Sequence, residues 1–414
     1  MTLPKTELTK VEAPAGLTFE EAMKKATELR PRLIEEQAAT EARSYPSEDL
    51  HLTFANAGFY HLLRPKTFGG YEFTVPEFMA VMREIARGCM STAWCLTLGS
   101  GHNLQVASWW PEDVQREVFE TDHGYFAAAM VGAPGGKMRR ASGGWVLNGT
   151  HKYSSGTPYA THFTGHEFIE TGEEGPPGPL SLFIARREDW EMLDDWGNTL
   201  GLKGSGSQSV RFVDAMVPTD WVLEGQAQYA IDVTDGTPGL RLHGNPMYGA
   251  PGLGFFCNEL AHLTIGAAWS ALDEYEELMM TKTTIRPPVT LRVNDPDYQR
   301  WFSLAYTKLA AAEAVAERAS RLIMEFSQEA AEGGTPFSRE RDIFVNQLSR
   351  EGLTMAWKTV EDLLMQTVGS SATTNGTRME RIWRDLTMSW GHVNTIFRDL
   401  MARDYARERF AVGS

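Results

Sequence analysis

The sequence has only three cysteines in 414 residues, Cys89, Cys95 and Cys257, and they form neither a CxxC pair nor an even-numbered framework. That argues against a disulfide scaffold and fits a reducing compartment. No stretch approaches the ~18 uninterrupted apolar residues of a membrane span, and the opening segment MTLPKTELTKVEAP lacks the apolar core of a signal peptide. The expectation is a cytoplasmic protein with no membrane contact. Positive charge is also scarce. Lys and Arg number 39 against 54 Asp and Glu, the net charge is -15, and no basic run offsets it, so a nucleic-acid footprint is excluded. The ten histidines show no metal spacing, and no metal is expected. There is no Walker A run, no HExxH and no Gly-x-Ser-x-Gly. GLKGSGSQS (Gly201–Ser209) comes near a dinucleotide fingerprint but lacks the third glycine and runs into a strand-like segment, so NAD(P)H binding in the usual way is excluded.

What is present falls into three zones. Residues 1–121 read as a helical domain, where TFEEAMKKATELRPRLIEEQAATEARSY opens with a Thr18-x-x-Glu21 capping box. Further helices are expected in VPEFMAVMREIARGCMSTAWCLTLGSGHNLQVASWW and PEDVQREVFET. Residues 122–238 read as short strands and turns. GGWVLNGTHKYSSG is expected to be a hairpin turning at Asn148-Gly149, and THFTGHEFIET, LSLFIARRE and SQSVRFVDAMVP are further strands. Tightly spaced strands predict a small antiparallel barrel or sandwich. Residues 239–414 predict four long helices near 255–280, 298–331, 338–368 and 378–407. The first is apolar almost all round, so it should be buried on most faces, against another subunit if the protein oligomerises.

Chemistry-bearing residues are few. HKYSSGTPYATHF places Tyr153, Ser154, Ser155 and Gly156 just past a strand, where hydroxyls can meet the edge of a flat heteroaromatic ring and Tyr153 can cover its face. The same residues equally fit a polar strand end with local turn bonds. His102 follows Gly99 and Gly101, which let backbone approach a ligand closely, although an isolated His in a helical zone also fits a structural role. On the last predicted helix, Met379, Ile382, Trp383, Leu386, Trp390, Val393, Phe397 and Leu400 form one apolar stripe. At ~100° per residue His392 lies about 120° off its centre, facing either solvent or a second cavity. The acidic pairs Asp194–Asp195, Glu276–Glu277 and Glu173–Glu174 read as solvated faces or loops.

Taken together, AGFYHLLRPKTFGGYEF, LNGTHKYSSGTPYATHF, LGLKGSGSQSVRFVDAMVP and QTVGSSATTNGTRMERIWRD resemble, in that order, the signature segments of the acyl-CoA dehydrogenase superfamily, over roughly Ala55 to Arg407. The resemblance implies an α+β fold with an N-terminal helical domain, a central antiparallel β domain and a C-terminal four-helix bundle. In many dehydrogenases the loop before the last helix carries a glutamate that removes an α-proton, and that place is Gly376 here. The alternative family base on the first bundle helix aligns with Phe256, with Glu259 about one turn away.

LLRPKTFGGYE, YSSG and RIWRDLTMSWGHV are similar to the two-component flavin monooxygenases built on this fold, which include the 4-hydroxyphenylacetate and hydroxylated-steroid hydroxylases and the thiophene S-oxygenases. That branch implies an oxygenase using reduced FMN or FAD from a separate NAD(P)H:flavin reductase, with O2 as co-substrate, acting through a C4a-hydroperoxyflavin on a small aromatic substrate. It implies His102, Ser155 and His392 as catalytic residues. Flavin contacts are expected from Tyr153, Ser154 and Ser155, and from Gly369, Ser370 and Ser371 as a phosphate cradle with Lys282 or Arg286. Trp109, Met130, Phe255 and Phe256 are expected to line an apolar substrate pocket, with Trp110 beside them. The resemblance further implies a homotetramer, which the apolar first bundle helix fits. The segment FAAAMVGAPGG has Ala127-Ala128-Ala129 where phenol hydroxylases of this branch often carry Ser. Two rival readings remain: an FAD-dependent acyl-CoA dehydrogenase, and a catalytically silent binding scaffold of the same fold.

Overall fold

The computed structural model describes residues 2–3, 7–172, 177–392 and 397–412. The N-terminal part holds α1 (Phe19–Arg43), α2 (Glu48–Ala57), α3 (Val75–Gly88), α4 (Met90–Trp109) and α5 (Glu112–Phe119). Helix α1 starts where the sequence places its cap: the Thr18 hydroxyl accepts from Glu21 N at 3.2 Å, and Thr18 N donates back to the Glu21 carboxylate at 2.9 Å. Thr74 and Glu77 repeat the same reciprocal box at the start of α3. Cys89 is extended and separates α3 from α4. Helix α4 is buried on almost every face although it carries Ser, Thr, His, Asn and Gln. A helix of that composition can be buried only where partners are provided, so α4 is where the polar interior of the protein concentrates.

The central strands are β1 (Ala128–Val131), β2 (Gly136–Ala141), β3 (Gly144–His151), β4 (His162–Phe168), β5 (Leu180–Arg186), β6 (Glu191–Met192), β7 (Val210–Pro218) and β8 (Val222–Leu223). They make two four-stranded sheets, β1-β4-β5-β8 and β2-β3-β7-β6. Every pairing is antiparallel except β1 with β4. The strands expected from THFTGHEFIET, LSLFIARRE and SQSVRFVDAMVP are β4, β5 and β7.

The hairpin expected at Asn148-Gly149 is corrected. The β2–β3 hairpin closes between Ala141 and Gly144, and Asn148-Gly149 lies inside β3, at a register shift against β7. Two facts explain it. The Asn148 side chain bonds across the sheet, donating to the Asp214 carboxylate at 2.9 Å and accepting from Asp214 N at 2.8 Å. A Cβ on Gly149 would meet Gly136 Cα at 2.5 Å, so the glycine serves a bulge and close strand approach instead of a turn.

The C-terminal part holds α6 (Pro238–His243), α7 (Leu253–Thr281), α8 (Pro296–Ala331), α9 (Arg339–Thr359), a π turn at Val360–Leu364, α10 (Met365–Thr367), α11 (Arg378–Trp390) and α12 (Arg398–Phe410). Helix α7 is apolar almost all round because α3, α8, α9 and α11 of the same chain surround it. Its composition therefore needs no neighbouring subunit to explain it. The last helix, expected to be continuous, ends at Trp390 with Gly391 as its cap. His392 stands just beyond that end and is not on a helix face. Among the described residues no helix is long and apolar enough to cross a membrane, and no group of three or more His, Cys, Asp or Glu is placed to hold a metal ion. The three cysteines are free thiols.

Candidate active site

Helix α4 organises the site. Trp94 Nε1 donates to Ser155 Oγ at 2.9 Å, and Ser155 Oγ also meets Ser207 Oγ at 2.9 Å. Ser207 in turn meets Ser205 Oγ at 2.6 Å. With Trp94 donating and Ser207 able to donate, the Ser155 proton is free to be given to an acceptor on its half-buried side. Backbone bonds hold the line in place: Ser154 N donates to Gln208 O at 3.1 Å and Gly156 N to Ser205 O at 3.0 Å. The segment GLKGSGSQS, which fails as a dinucleotide fingerprint, is thus the partner of YSSG.

The Trp94 ring also meets the His392 imidazole edge-on, with centroids 5.4 Å apart. One tryptophan therefore touches both Ser155 and His392. His392 keeps a partly accessible edge, yet burial of its ring pushes its pKa down to about 4. Its position depends on α11, which is stapled to the rest of the site by Asp385. That carboxylate accepts from Ser91 Oγ on α4 at 3.0 Å and from Leu202 N at 2.6 Å. Arg384 adds bonds to Leu200 O at 3.1 Å and to Glu41 on α1 at 3.0 Å. Burial raises Asp385 to about 6 while the Leu202 amide pulls against it.

Two turns along α4, His102 is buried. Its Nδ1 lies 3.0 Å from Ala128 O, and because a carbonyl only accepts, Nδ1 carries the proton. The Nε2 lone pair then points to the side of Met130, whose sulfur is 3.3 Å away. Desolvation lowers the His102 pKa to about 4, so the imidazole is neutral at pH 7. Phe256 stands 5.9 Å from it by ring centroid. A Cβ on Gly252 would touch both Trp109 and Phe256, so these rings converge on one spot. Met130 and Phe256 are half-buried, as pocket walls are, and Trp109 is held behind them by its Nε1 bond to Ala250 O at 3.1 Å. Phe255, next along α7, turns to Phe78 at 6.2 Å and lies in the core. Adjacent helical residues cannot share a face.

Of the expected flavin residues, Tyr153 is exposed, with its ring 5.1 Å from Trp196, and the Ser154 hydroxyl is buried with no hydrogen-bond partner among the described residues. Gly369, Ser370, Ser371, Lys282 and Arg286 form a second group. Ser370, Ser371, Lys282 and Arg286 are exposed. Arg292, which sequence reasoning missed, ties this group together: Nη1 donates to Val368 O at 2.8 Å, and its N donates to Lys282 O at 2.9 Å. Among the described residues no hydrogen bond joins this group to Ser155. Gly376 has a left-handed φ of 88°, and an added Cβ would meet only Arg381 Nη2, at 3.8 Å.

Also missed were Trp94, Ser205, Ser207 and Asp385. The signal for the serines was their alternation with glycine in GSGSQS, a pattern for hydroxyls on extended backbone.

The comparisons with known proteins bear on the family and the fold. The model described as Acyl-CoA dehydrogenase, N-terminal domain, matches residues 19–119, and that described as Acyl-CoA dehydrogenase, C-terminal domain, matches residues 259–396. The chain is 27% identical over 373 residues to a pigment production hydroxylase of Rhodococcus sp., covering 90% of this chain and 92% of the relative. It is 27% identical over 369 residues to a flavin-dependent monooxygenase, oxygenase subunit HsaA, of Rhodococcus jostii, covering 88% and 91%. Among solved structures, XiaF from Streptomyces sp. in complex with FADH2 and glycerol superposes with a TM-score of 0.83 at 20% identity, covering 95% of this chain and 96% of that one. That likeness shows a shared fold.

Proposed function

Because the chain belongs to the acyl-CoA dehydrogenase superfamily, in its branch of two-component flavin-dependent monooxygenases, we propose that it is an oxygenase component that takes reduced FMN or FAD from a separate NAD(P)H:flavin reductase and oxygenates a small aromatic substrate. The observation that carries this reading is the Trp94–Ser155–Ser207 line, with His392 edge-on to Trp94. It presents one available hydroxyl proton beside a flat aromatic wall, which is what a flavin ring nitrogen accepts.

A bound reduced flavin supplies the activation of O2 and the transfer of one oxygen atom to the substrate. The residues of the chain do the rest. Ser155 donates to the flavin edge, and Trp94 holds Ser155 and His392 in register. His102 Nε2 accepts a hydrogen bond from a substrate hydroxyl, which makes the attached ring more electron-rich. An anionic oxygen beside it raises its pKa again. Met130, Phe256 and Trp109 keep water from the reacting face. Gly376 offers no base where a dehydrogenase needs one, so α-proton removal from an acyl thioester has no agent at that place.

The exposed Gly369–Ser371 loop with Lys282 and Arg286 fits the phosphate end of a flavin whose ring lies in a neighbouring copy, and we place it there in a homotetramer. Sedimentation equilibrium tests that assignment, and a monomer with full activity overturns it.

The test of function is anaerobic stopped flow. Protein with reduced FMN or FAD is mixed with oxygenated buffer and followed by absorbance. The expected result is reoxidation in two resolved phases, the second accelerated by a phenolic or heteroaromatic substrate. Single-step reoxidation at the rate of free flavin overturns the reading.

A further inference from the structure

On the other side of His102, α4 and α7 enclose polar groups that the chemistry above leaves unused. Glu259 on α7 is fully buried, and neither carboxyl oxygen has a hydrogen-bond partner among the described residues. Gln105 on α4 is 3% exposed, and neither its amide nitrogen nor its amide oxygen has one. Leaving such groups unpaired is costly, so their retention asks for a polar partner that the described residues do not supply.

Their placement says where that partner comes from. The Glu259 carboxyl lies against Gly101, where any Cβ would overlap its Oε1. A side chain at Gly101 would require the Glu259 carboxyl to move. At ~100° per residue, Gln105 projects from α4 about midway between the His102–Trp109 line and the line through Gly101. It therefore projects from α4 between the face that carries His102 and the face that meets Glu259. The two helices run antiparallel here, since Trp109 bonds to Ala250 just before α7 and Gly101 meets Glu259 further along it. Thr97 and Ser108, both buried with unpartnered hydroxyls, fall on the same side of α4 and continue the seam. Phe256, three residues before Glu259 on α7, is half-buried.

We propose that Gln105 and Glu259 form a polar subsite at the back of the His102 pocket that binds a neutral hydroxyl or carbonyl group on the far end of the aromatic substrate. This rests on the aromatic-oxygenase reading. The amide offers a donor and an acceptor. The carboxyl, which burial holds protonated well above the ordinary range, offers the same pair. A neutral substituent satisfies both without bringing a charge into the seam. The rings of Phe256 and Trp109 then hold the apolar middle of the molecule, and His102 meets the hydroxyl at its reacting end. Gln105 and Glu259 act here as specificity residues, not as groups that touch reacting atoms.

The test is anaerobic isothermal titration calorimetry of the full chain with reduced FMN or FAD, using 2-naphthol and 2,7-dihydroxynaphthalene. These differ only in a hydroxyl on the far ring. The expected result is about tenfold tighter binding of the diol, the ~1.4 kcal/mol of one or two neutral hydrogen bonds. In Gln105→Leu and Glu259→Leu that preference falls to within about twofold while 2-naphthol affinity is kept. In Glu259→Gln, which keeps volume and hydrogen bonding, the preference persists. Circular dichroism melting of each variant identifies any that fail to fold, and Glu259→Gln and Gln105→Leu stay informative if Glu259→Leu does. If wild type binds 2-naphthol with no preference for the diol, or if the preference survives in both leucine variants, the subsite is wrong and the aromatic pocket stands. If neither naphthol binds, the aromatic reading fails, and the subsite with it.

Discussion

Near the start of α4, Trp94, Ser155, Ser207 and Ser205 each have a partner, in a line of bonds of 2.9, 2.9 and 2.6 Å. About three turns further along the same face of α4, Gln105, and Glu259 on the facing α7, have none among the described residues. Both regions are buried and polar, and they lie on one helix. The first fixes the direction of a single hydroxyl, which suits a cofactor met in the same pose at every turnover. The second leaves its donors and acceptors uncommitted, which suits discrimination among guests. Asp385 shows what commitment does to a carboxylate. With an amide and a hydroxyl donating to it, it rises only to about 6, whereas bare Glu259 is pushed well above its ordinary value.

Breaking the committed line has the largest expected effect. Ser155→Ala removes one preoriented donor, and the product formed per flavin oxidised falls about 100-fold while the chain stays folded. Coupled assays that quantify product against hydrogen peroxide read this directly. Trp94→Phe keeps the ring against His392 but loses the indole N–H, and a loss of about tenfold separates positioning from donation.

Next comes the staple that holds α11, and so His392, against α4. Asp385→Ala leaves the buried Leu202 N–H and the Ser91 hydroxyl unpaired, and it costs about 2 kcal/mol, read as a lowered thermal midpoint. Asp385→Asn retains a carbonyl for Leu202 N–H and loses less.

The comparison is sharpened by pH. Glu259 has a folded pKa raised above its unfolded value, so its stabilisation is full below about pH 4 and is lost as pH rises toward the folded value. Asp385 behaves alike, but its loss is complete by about pH 6. His102 and His392, lowered to about 4, act oppositely: their stabilisation is full above about 6.5 and is lost as pH falls toward 4. The thermal midpoint of Glu259→Gln minus that of wild type is therefore expected to grow above pH 6, where Asp385 no longer contributes a slope. A difference flat from pH 6 to 9 would show Glu259 to be ionised and solvated. The smallest effect is Gly376→Ala, about 1 kcal/mol of destabilisation, since the cost is the left-handed backbone alone and nothing crowds the added carbon.

Much of this was legible beforehand. The capping box at Thr18, the strands β4, β5 and β7 and the long bundle helices follow from local periodicity and turn chemistry. The hairpin at Asn148-Gly149 did not, because Asn148 bonds to Asp214 on β7, a partner 66 residues away. His392 was placed on a helix face because the apolar stripe continues past Gly391, and a stripe does not report where a helix stops. Phe255 and Phe256 could not be told apart as pocket and core until Phe78 was found against one of them.

The sequence by itself determined the element order and the absence of a usual dinucleotide-binding motif, since these depend on residue identity and short-range geometry. Only the tertiary structure decided which hydroxyls bond in line, why α7 is apolar on every side and which buried polar groups lack partners. Trp94 and Ser155 are 61 positions apart, and the meaning of each depends on a neighbour that spacing along the chain cannot name.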